Sequence, residues 1–394
     1  MTLSIRPKVY SLPSYSLTGD LLGYLRCGLQ YRYSRLGKLP PSRPVQQWFG
    51  EYIHGLLEEA FRRYKDSIEN GFPSLPPWPQ AELQDIQELI KKRLEARGLY
   101  AWNGEVERLG SRRGETAIQE LGPLLFPLIH RAEVRLTGAR LLPEIDPQIQ
   151  FRTADRYEVV GVVDVVTHVE IDDPAFARNP IVSYLNQALG EGLPGKFEII
   201  VDYKGMRRPP VSSAGSGSLW TQYQWQIQTY GELRRVQPDA LHVAGGVLLY
   251  INELSPTRGD LERLKAEIAS GTTDVPPPPG SADELAMRNW KTRDKSLPTL
   301  SFGYRLSRAL RVVPISPESI KVALEAFDGV VQEIETCRGR EANGGSVIQS
   351  WTRNSNEEST CVVCDSRTYC PNYHSQYSSK HGDTEPRLPG VKDT

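Results

Sequence analysis

An α/β architecture is predicted by three features of this 394-residue chain. Val45–Tyr64 carries apolar residues at helical spacing, including Trp48, Tyr52, Ile53, Leu56, Ala60 and Phe61, the pattern of an amphipathic helix. Two apolar runs, Tyr157–Val169 and Phe197–Lys204, are rich in β-branched residues and read as strands. Trp220–Arg235, with Gly231 its only breaker, reads as a helix, and a third strand is expected at Val243–Asn252. Helix–strand–strand–helix–strand is the order of a sheet covered by helices.

The elements follow in order along the chain. The first 40 residues mix Tyr24, Tyr31 and Tyr33 with Arg26, Arg32 and Arg35, and Pro40, Pro41 and Pro44 precede the first helix. Pro73, Pro76, Pro77 and Pro79 end that helix, and residues 80–97 read as a second one, polar and then basic at Lys91, Lys92 and Arg93. A Ser/Gly-rich loop, Ser212–Ser218, follows the second strand. The stretch 271–280, GTTDVPPPPG, is a linker or exposed loop, and Pro317–Cys337 is a late helix. The residues after Cys370 are polar and are expected to be a disordered tail. No repeat recurs at a fixed period.

Composition narrows the function. With 39% hydrophobic and 24% charged residues, a real core forms and wholesale disorder is excluded. A formal charge of −1 excludes a polybasic protein but leaves room for a local basic cleft. Five cysteines are too few for a disulfide scaffold. The N-terminus has no apolar signal region, and no apolar stretch approaches the ~20 residues of a membrane span. A soluble, cytoplasmic protein with no membrane contact is expected. Gly190–Phe197 nearly matches a phosphate-binding loop, but Phe197 stands where Ser or Thr must bind magnesium, and a strand follows instead of a helix. No helicase motor is visible.

The sharpest signal is Asp202-Tyr203-Lys204 at the end of an apolar strand. Residues i and i+2 share a strand face, so Asp202 and Lys204 sit side by side and Tyr203 points away. A carboxylate that binds a divalent cation, beside an amine that stabilises charge developing on phosphate, suits phosphodiester cleavage. Asp164, alone in the run GVVDVV, supplies a second carboxylate; a charge there is costly unless a cation compensates it. His54 lies at the edge of the first helix's apolar stripe, with Glu58 one turn on. Each has a plain alternative: a surface ion pair for Asp202–Lys204, a strand end for Asp164, a core histidine for His54. The order of the four signals along the chain favours a site.

That order resembles the PD-(D/E)XK nucleases, in particular their RecB-like exonuclease branch. The resemblance rests on Gly50, His54 and Glu58 as G-x-x-x-H-x-x-x-E, Gly161–Asp164 as G-x-x-D, Asp202–Lys204 as D-x-K, and Gln226 and Tyr230 as Q-x-x-x-Y on a helix. It implies a restriction-endonuclease-like core, a mixed central sheet flanked by helices, with helical insertions and a C-terminal four-cysteine cluster lobe. It implies that His54, Asp164, Asp202 and the Tyr203 carbonyl bind Mg²⁺ or Mn²⁺, that Lys204 is catalytic, and that Gln226 and Tyr230 help hold the lysine and the DNA.

Cys27 stands apart from Cys361, Cys364 and Cys370, a one-plus-three layout. In a reducing compartment four such thiolates suit zinc or an iron–sulfur cluster. A zinc ribbon normally uses two close pairs, and none is present. The layout resembles the iron-staple nucleases, namely AddB-type subunits and CRISPR-associated RecB-like exonucleases, and so implies a structural [4Fe–4S] cluster on these four residues. Cys337 has no place in the pattern.

For DNA contact, Arg288–Arg311 holds Arg288, Lys291, Arg293, Lys295, Arg305, Arg308 and Arg311 against Asp294 alone, interleaved with Trp290, Phe302 and Tyr304. Charge for phosphates and rings for bases suit a groove that tracks one strand; the alternative is a solvated basic face. Arg207 and Arg208 follow the active strand, and residues 80–114 form a third basic stretch. The chain thus divides into a segment with the first cluster cysteine (1–44), the first core helix (45–70), a helical insertion in DNA contact (71–150), the nuclease core (151–255), an insertion with the basic segment (256–336), the cluster lobe (337–370) and the tail (371–394). The expected function is a metal-dependent nuclease acting on single-stranded DNA or DNA ends, with a helicase or CRISPR integrase as candidate partner. The second reading is a catalytically silent DNA-binding or scaffold subunit of a repair, helicase or CRISPR-adaptation complex.

Overall fold

The computed structural model describes residues 12–39, 45–146, 148–149, 154–174, 176, 178–190, 192–210, 219–353, 361, 364–367 and 370. The Ser/Gly-rich loop and the expected disordered tail lie outside them. By its contacts the chain forms two units: Met1–Ser42 with Arg140–Tyr157 and Phe327–Thr394, and Arg43–Ala139 with Glu158–Ala326.

The strands are β1 (Ser14–Ser16), β2 (Ile129–Leu141), β3 (Arg156–Glu170), β4 (Lys196–Lys204), β5 (Val243–Tyr250) and β6 (Leu310–Pro314). They form one mixed six-stranded sheet in the order β1-β3-β4-β5-β6, with β2 pairing to β3 off that path. The β3–β4 and β5–β6 pairs are antiparallel, and β4–β5 is parallel. The helices that matter are α1 (Val45–Glu69), α2 (Gln80–Ala96), α3 (Gly104–Thr116), α4 (Pro180–Leu189), α5 (Leu219–Arg235), α6 (Arg258–Ser270), α7 (Ala282–Asn289), α8 (Phe302–Ala309) and α9 (Pro317–Ala342). A mixed sheet flanked by helices is the α/β core that the sequence predicts.

Parallel strands need a crossover, and α5 supplies it between β4 and β5. It packs on both strands. Two glycines permit the approach. At Gly246 of β5 a Cβ would lie 2.3 Å from Ile227 Cγ2 of α5, and at Gly161 of β3 a Cβ would lie 2.5 Å from Tyr230 Cε1. The larger core contains Trp48, Ile53, Leu56 and Leu57 of α1, Leu83, Ile86 and Ile90 of α2, and Val165, Val201, Val247 and Leu249 of the sheet. The alternation in β5 explains why Val247 and Leu249 face that core while Gly246 faces α5.

Two regions differ from the sequence reading, and a third, between β3 and β4, gains a helix for which the sequence reading named no element. The segment 71–150 holds a 13-residue strand, β2, as well as helices. Its residues alternate between half-buried and exposed, with only Leu136 fully buried, so it lacks the apolar run that marked β3. Between β3 and β4, Pro180–Leu189 form α4, whose Ile181, Val182 and Leu185 join the core. Gly190 ends that helix with φ 81°, and β4 begins at Lys196. The basic stretch 288–311 folds into α7, α8 and the start of β6, and Trp290 and Tyr304 close a small core with Leu261, Leu264, Met287 and Leu300. Those two rings are therefore packing residues, not a base-stacking face. Among the described residues no helix is long and apolar enough to cross a membrane.

The other unit has its own interior. Tyr15 stacks edge-on against Tyr157, which stacks on Phe327. Arg32 forks onto Glu341 (2.7 and 2.6 Å), and Leu29 N–H donates to the Thr352 carbonyl at 2.9 Å.

Candidate active site and metal centre

The β3–β4 register runs from Glu170↔Lys196 to Val165↔Val201, so Asp164 and Asp202 are the next residues on their strands. Asp164 Oδ2 accepts the Tyr203 N–H at 2.7 Å, which fixes that carboxylate through the main chain. His54 reaches in from α1: Nδ1 lies 3.3 Å from Asp164 Oδ1, and Nε2 donates to the Tyr203 carbonyl at 3.0 Å. Burial opposes a charge on this imidazole, but the Asp164 carboxylate, its hydrogen bond, the Asp202 charge and the Tyr203 carbonyl outweigh it, and the pKa rises to about 9.

Asp202 is 5% exposed. Its Oδ1 accepts from Gln226 Nε2 at 3.2 Å, while Oδ2 is ion-paired with Lys204. Burial pushes this carboxyl up, against the pull of Lys204. Lys204 Nζ donates to Gln226 Oε1 at 3.0 Å and stands 4.1 Å from the centre of the Tyr223 ring. Gln226 Nε2 also reaches Tyr230 Oη at 3.3 Å. The amide orientation follows from these partners, since a flip would turn its NH₂ onto the ammonium. Gln226 and Tyr230 project together from α5 because they are four residues apart.

Sequence reasoning missed two contributors. Glu133 of β2 joins His54 and Asp164 in a group whose ligand atoms lie within 4.8 Å of one another. Its backbone is left-handed, φ 50°, an uncommon state for a non-glycine residue and one found at functional sites. Burial, then the charges of Asp164 and Glu58, push its carboxyl up to about 7. Nothing in the exposed strand IHRAEVRLTGARL singles it out. Tyr223, three residues before Gln226, had no motif to announce it.

His54, Glu133 and Asp164 line a cavity of about 560 Å³ together with Gly50, Glu51, Glu58, Arg93, Arg97 and Val162. The donor set, one imidazole and two carboxylates lining one cavity, fits a hard divalent cation such as Mg²⁺ or Mn²⁺.

The remaining sequence candidates fall elsewhere. Arg208 is 4% exposed and held by Asp274 at 2.8 Å, and Arg308 is 2% exposed and held by Glu253 at 2.7 Å. Arg207 pairs with Glu267 and Arg305 with Glu120. These four serve internal carboxylates, whose distance in sequence hid the pairing. Arg288, Lys291 and Arg293 are exposed.

Cys27, Cys361, Cys364 and Cys370 belong to one unit, are half-buried and form no disulfide. Burial raises the Cys361 and Cys364 thiols, against a lowering main-chain hydrogen bond at Ser366 for Cys364, and the nearby Cys27 and Cys370 raise both further. Cys337 is buried separately, 3.6 Å from the Tyr24 hydroxyl.

Residues 19–172 match the family model of the PD-(D/E)XK nuclease superfamily. The match takes in His54, Glu58, Glu133 and Asp164 and ends before Asp202. No curated protein matches the chain. Over the matched residues the chain is similar to a superfamily whose members are generally metal-dependent nucleases.

Proposed function

We propose that the chain is a metal-dependent deoxyribonuclease that hydrolyses phosphodiester bonds of single-stranded DNA or DNA ends. One observation carries the reading: an ammonium group, Lys204 Nζ, is held by Gln226 and Asp202 beside a His–Asp–Glu donor set at the end of paired strands. His54, Asp164, Asp202 and the Tyr203 carbonyl, with Glu133, are the residues that would hold the divalent ion. An ion held there would polarise a water and neutralise charge on the phosphate. The chain's own groups do the rest. Lys204 faces the developing phosphate charge with its position already fixed, so no reorganisation is needed as that charge grows. Gln226 sets the ammonium's place through Oε1 and holds Asp202 through Nε2. Arg93 and Arg97 line the same cavity and supply positive charge for the flanking backbone.

The four cysteines, one near the start of the chain and three near its end, lie in one unit as free thiols and support a structural [4Fe–4S] cluster there. Iron and acid-labile sulfide in anaerobically purified protein, lost in Cys364→Ser, test it. Zinc in their place would refute it.

The test of activity uses anaerobically purified protein on end-labelled single- and double-stranded DNA with Mg²⁺ or Mn²⁺. Metal-dependent cutting by wild type and not by Lys204→Ala is expected, and the product ladder gives polarity. Firm DNA binding without cutting by wild type would leave a scaffold and overturn the proposal.

A further inference from the structure

Two large rings stand in the open between α2 and α3. Tyr100 is 63% and Trp102 is 74% exposed, whereas Trp48, Trp78 and Trp290 are each 5% or less. The loop that carries them is tied at both ends. Leu99 is buried and its N–H donates to the Leu94 carbonyl at 2.9 Å. Asn103 caps α3 through the Glu105 and Val106 N–H groups at 3.0 and 2.9 Å. Between the rings Ala101 packs against the core. The rings are thus presented by an anchored segment, at the expense of exposing apolar surface that a monomer normally hides.

The surroundings are basic. From Lys91 to Arg113 there are seven Lys and Arg residues against three Glu. Arg113 is buried against Asp260, but Arg108 and Arg112 are exposed one turn apart on α3. Arg93 and Arg97 pair with Glu59 and Glu51 while their side chains stay 54% and 60% exposed. The Arg97–Glu51 pair is of the weak, solvent-facing kind, and the buried Glu59 keeps Arg62 and Arg63 when Arg93 turns away, so a phosphate can replace either carboxylate. Both arginines line the cavity of His54 and Asp164. Arg97 and Tyr100 are three positions apart, which places their Cα atoms within about 11 Å. That is the length of about three nucleotides of a stacked strand.

We propose that Tyr100 and Trp102 form a stacking platform for the bases of a single DNA strand whose phosphates pass Arg97 and Arg93 into the cavity. The inference rests on the nuclease reading and adds to it the surface that selects single strands. A ring can stack only on a base whose face is free, so a continuous duplex gains nothing from the platform.

Trp102 reports on itself. A short oligothymidylate, added in EDTA so that nothing is cut, should quench Trp102 fluorescence in a saturable way. Trp102→Ala and Tyr100→Ala should each weaken binding about 5- to 100-fold, the range of one lost base stack. Trp102→Phe should lose the quench and keep most of the affinity, which separates stacking from misfolding. With Mg²⁺ or Mn²⁺, Trp102→Ala should raise KM and leave kcat unchanged. Unchanged affinity in Trp102→Ala, or equal quenching by a blunt duplex, would overturn the proposal while metal-dependent cutting left the nuclease reading standing. Absence of both binding and cutting would sink the two together.

Discussion

Raising the pH from about 7 to about 9 should tighten Mn²⁺ binding to this site about 100-fold. The reasoning starts at His54, whose pKa is raised to about 9 by Asp164, Asp202 and the Tyr203 carbonyl against the effect of burial. An ion must take a neutral imidazole, so it competes with that proton. At pH 7 about one imidazole in a hundred is neutral, and at pH 9 about half are, a gain of about 50-fold. Glu133, with a pKa near 7, contributes about another factor of two over the same interval. The sign is opposite for the ion-free fold. A raised imidazole pKa contributes stability that is complete below about 6.5 and is lost as the pH rises through about 9. The assay is calorimetric titration of Mn²⁺ into protein without DNA, in buffers of differing ionisation enthalpy. Near pH 7 it should read about one to two protons released per ion. His54→Asn should flatten the profile to the small change due to Glu133. A dissociation constant independent of pH, with no proton release, would refute the argument by removing His54 from the ion's shell.

The same titration tests Glu133 directly: Glu133→Gln should weaken Mn²⁺ by at least about 10-fold, and an unchanged affinity would leave its closeness to His54 and Asp164 without function. Glu198, fully buried, accepts two bonds at 2.8 Å from Arg234 and one contact at 3.1 Å from His168. Glu198→Ala should cost about 3 kcal/mol in urea unfolding, because the buried guanidinium loses its fully buried partner and keeps only the part-exposed Asp239, at 2.9 Å; a loss below about 1 kcal/mol would mean that Asp239 alone satisfies Arg234. Gly246→Ala should cost about 1–3 kcal/mol, with an unchanged denaturant slope, since its Cβ meets Ile227 Cγ2 at 2.3 Å and the Ile200 carbonyl at 3.1 Å. In an Ile227→Ala background, where Cγ2 is gone, the added cost of Gly246→Ala should shrink, and an unchanged added cost would locate the strain at the Ile200 carbonyl.

How far the sequence could be read depended on the distance over which each signal acts. β3, β4 and β5 carry apolar runs because both sheet faces are covered, and α1 carries a periodic stripe because one face is buried. Both signals are local and both were legible. β2 is half-exposed along its length, so its pattern is that of any polar segment. Charge was the least legible quantity. Arg208, Arg305 and Arg308 looked like a phosphate-binding series because their carboxylates lie far off in sequence: Asp274 is 66 residues from Arg208, Glu120 is 185 from Arg305 and Glu253 is 55 from Arg308. A basic run states how much charge is present and nothing about how much is already paired.

The motif residues of the site were legible for a further reason: their spacing is imposed by main-chain geometry. Asp202 and Lys204 must share a face because strands alternate, and Gln226 and Tyr230 must share one because helices turn every 3.6 residues. The Asp164–Tyr203 N–H bond ties the two carboxylate strands one step beyond their last pair. Glu133 and Tyr223 obey no such spacing relative to the rest. One arrives through a left-handed residue in a neighbouring strand, the other through a ring lying against an ammonium. Residues fixed by local periodicity can be recognised as a motif in one sequence, whereas residues that reach the same site through tertiary packing need the fold. The supporting groups of this site fall in the second class, and they are where its metal affinity and the placement of its lysine should differ from those of other chains that share the motif.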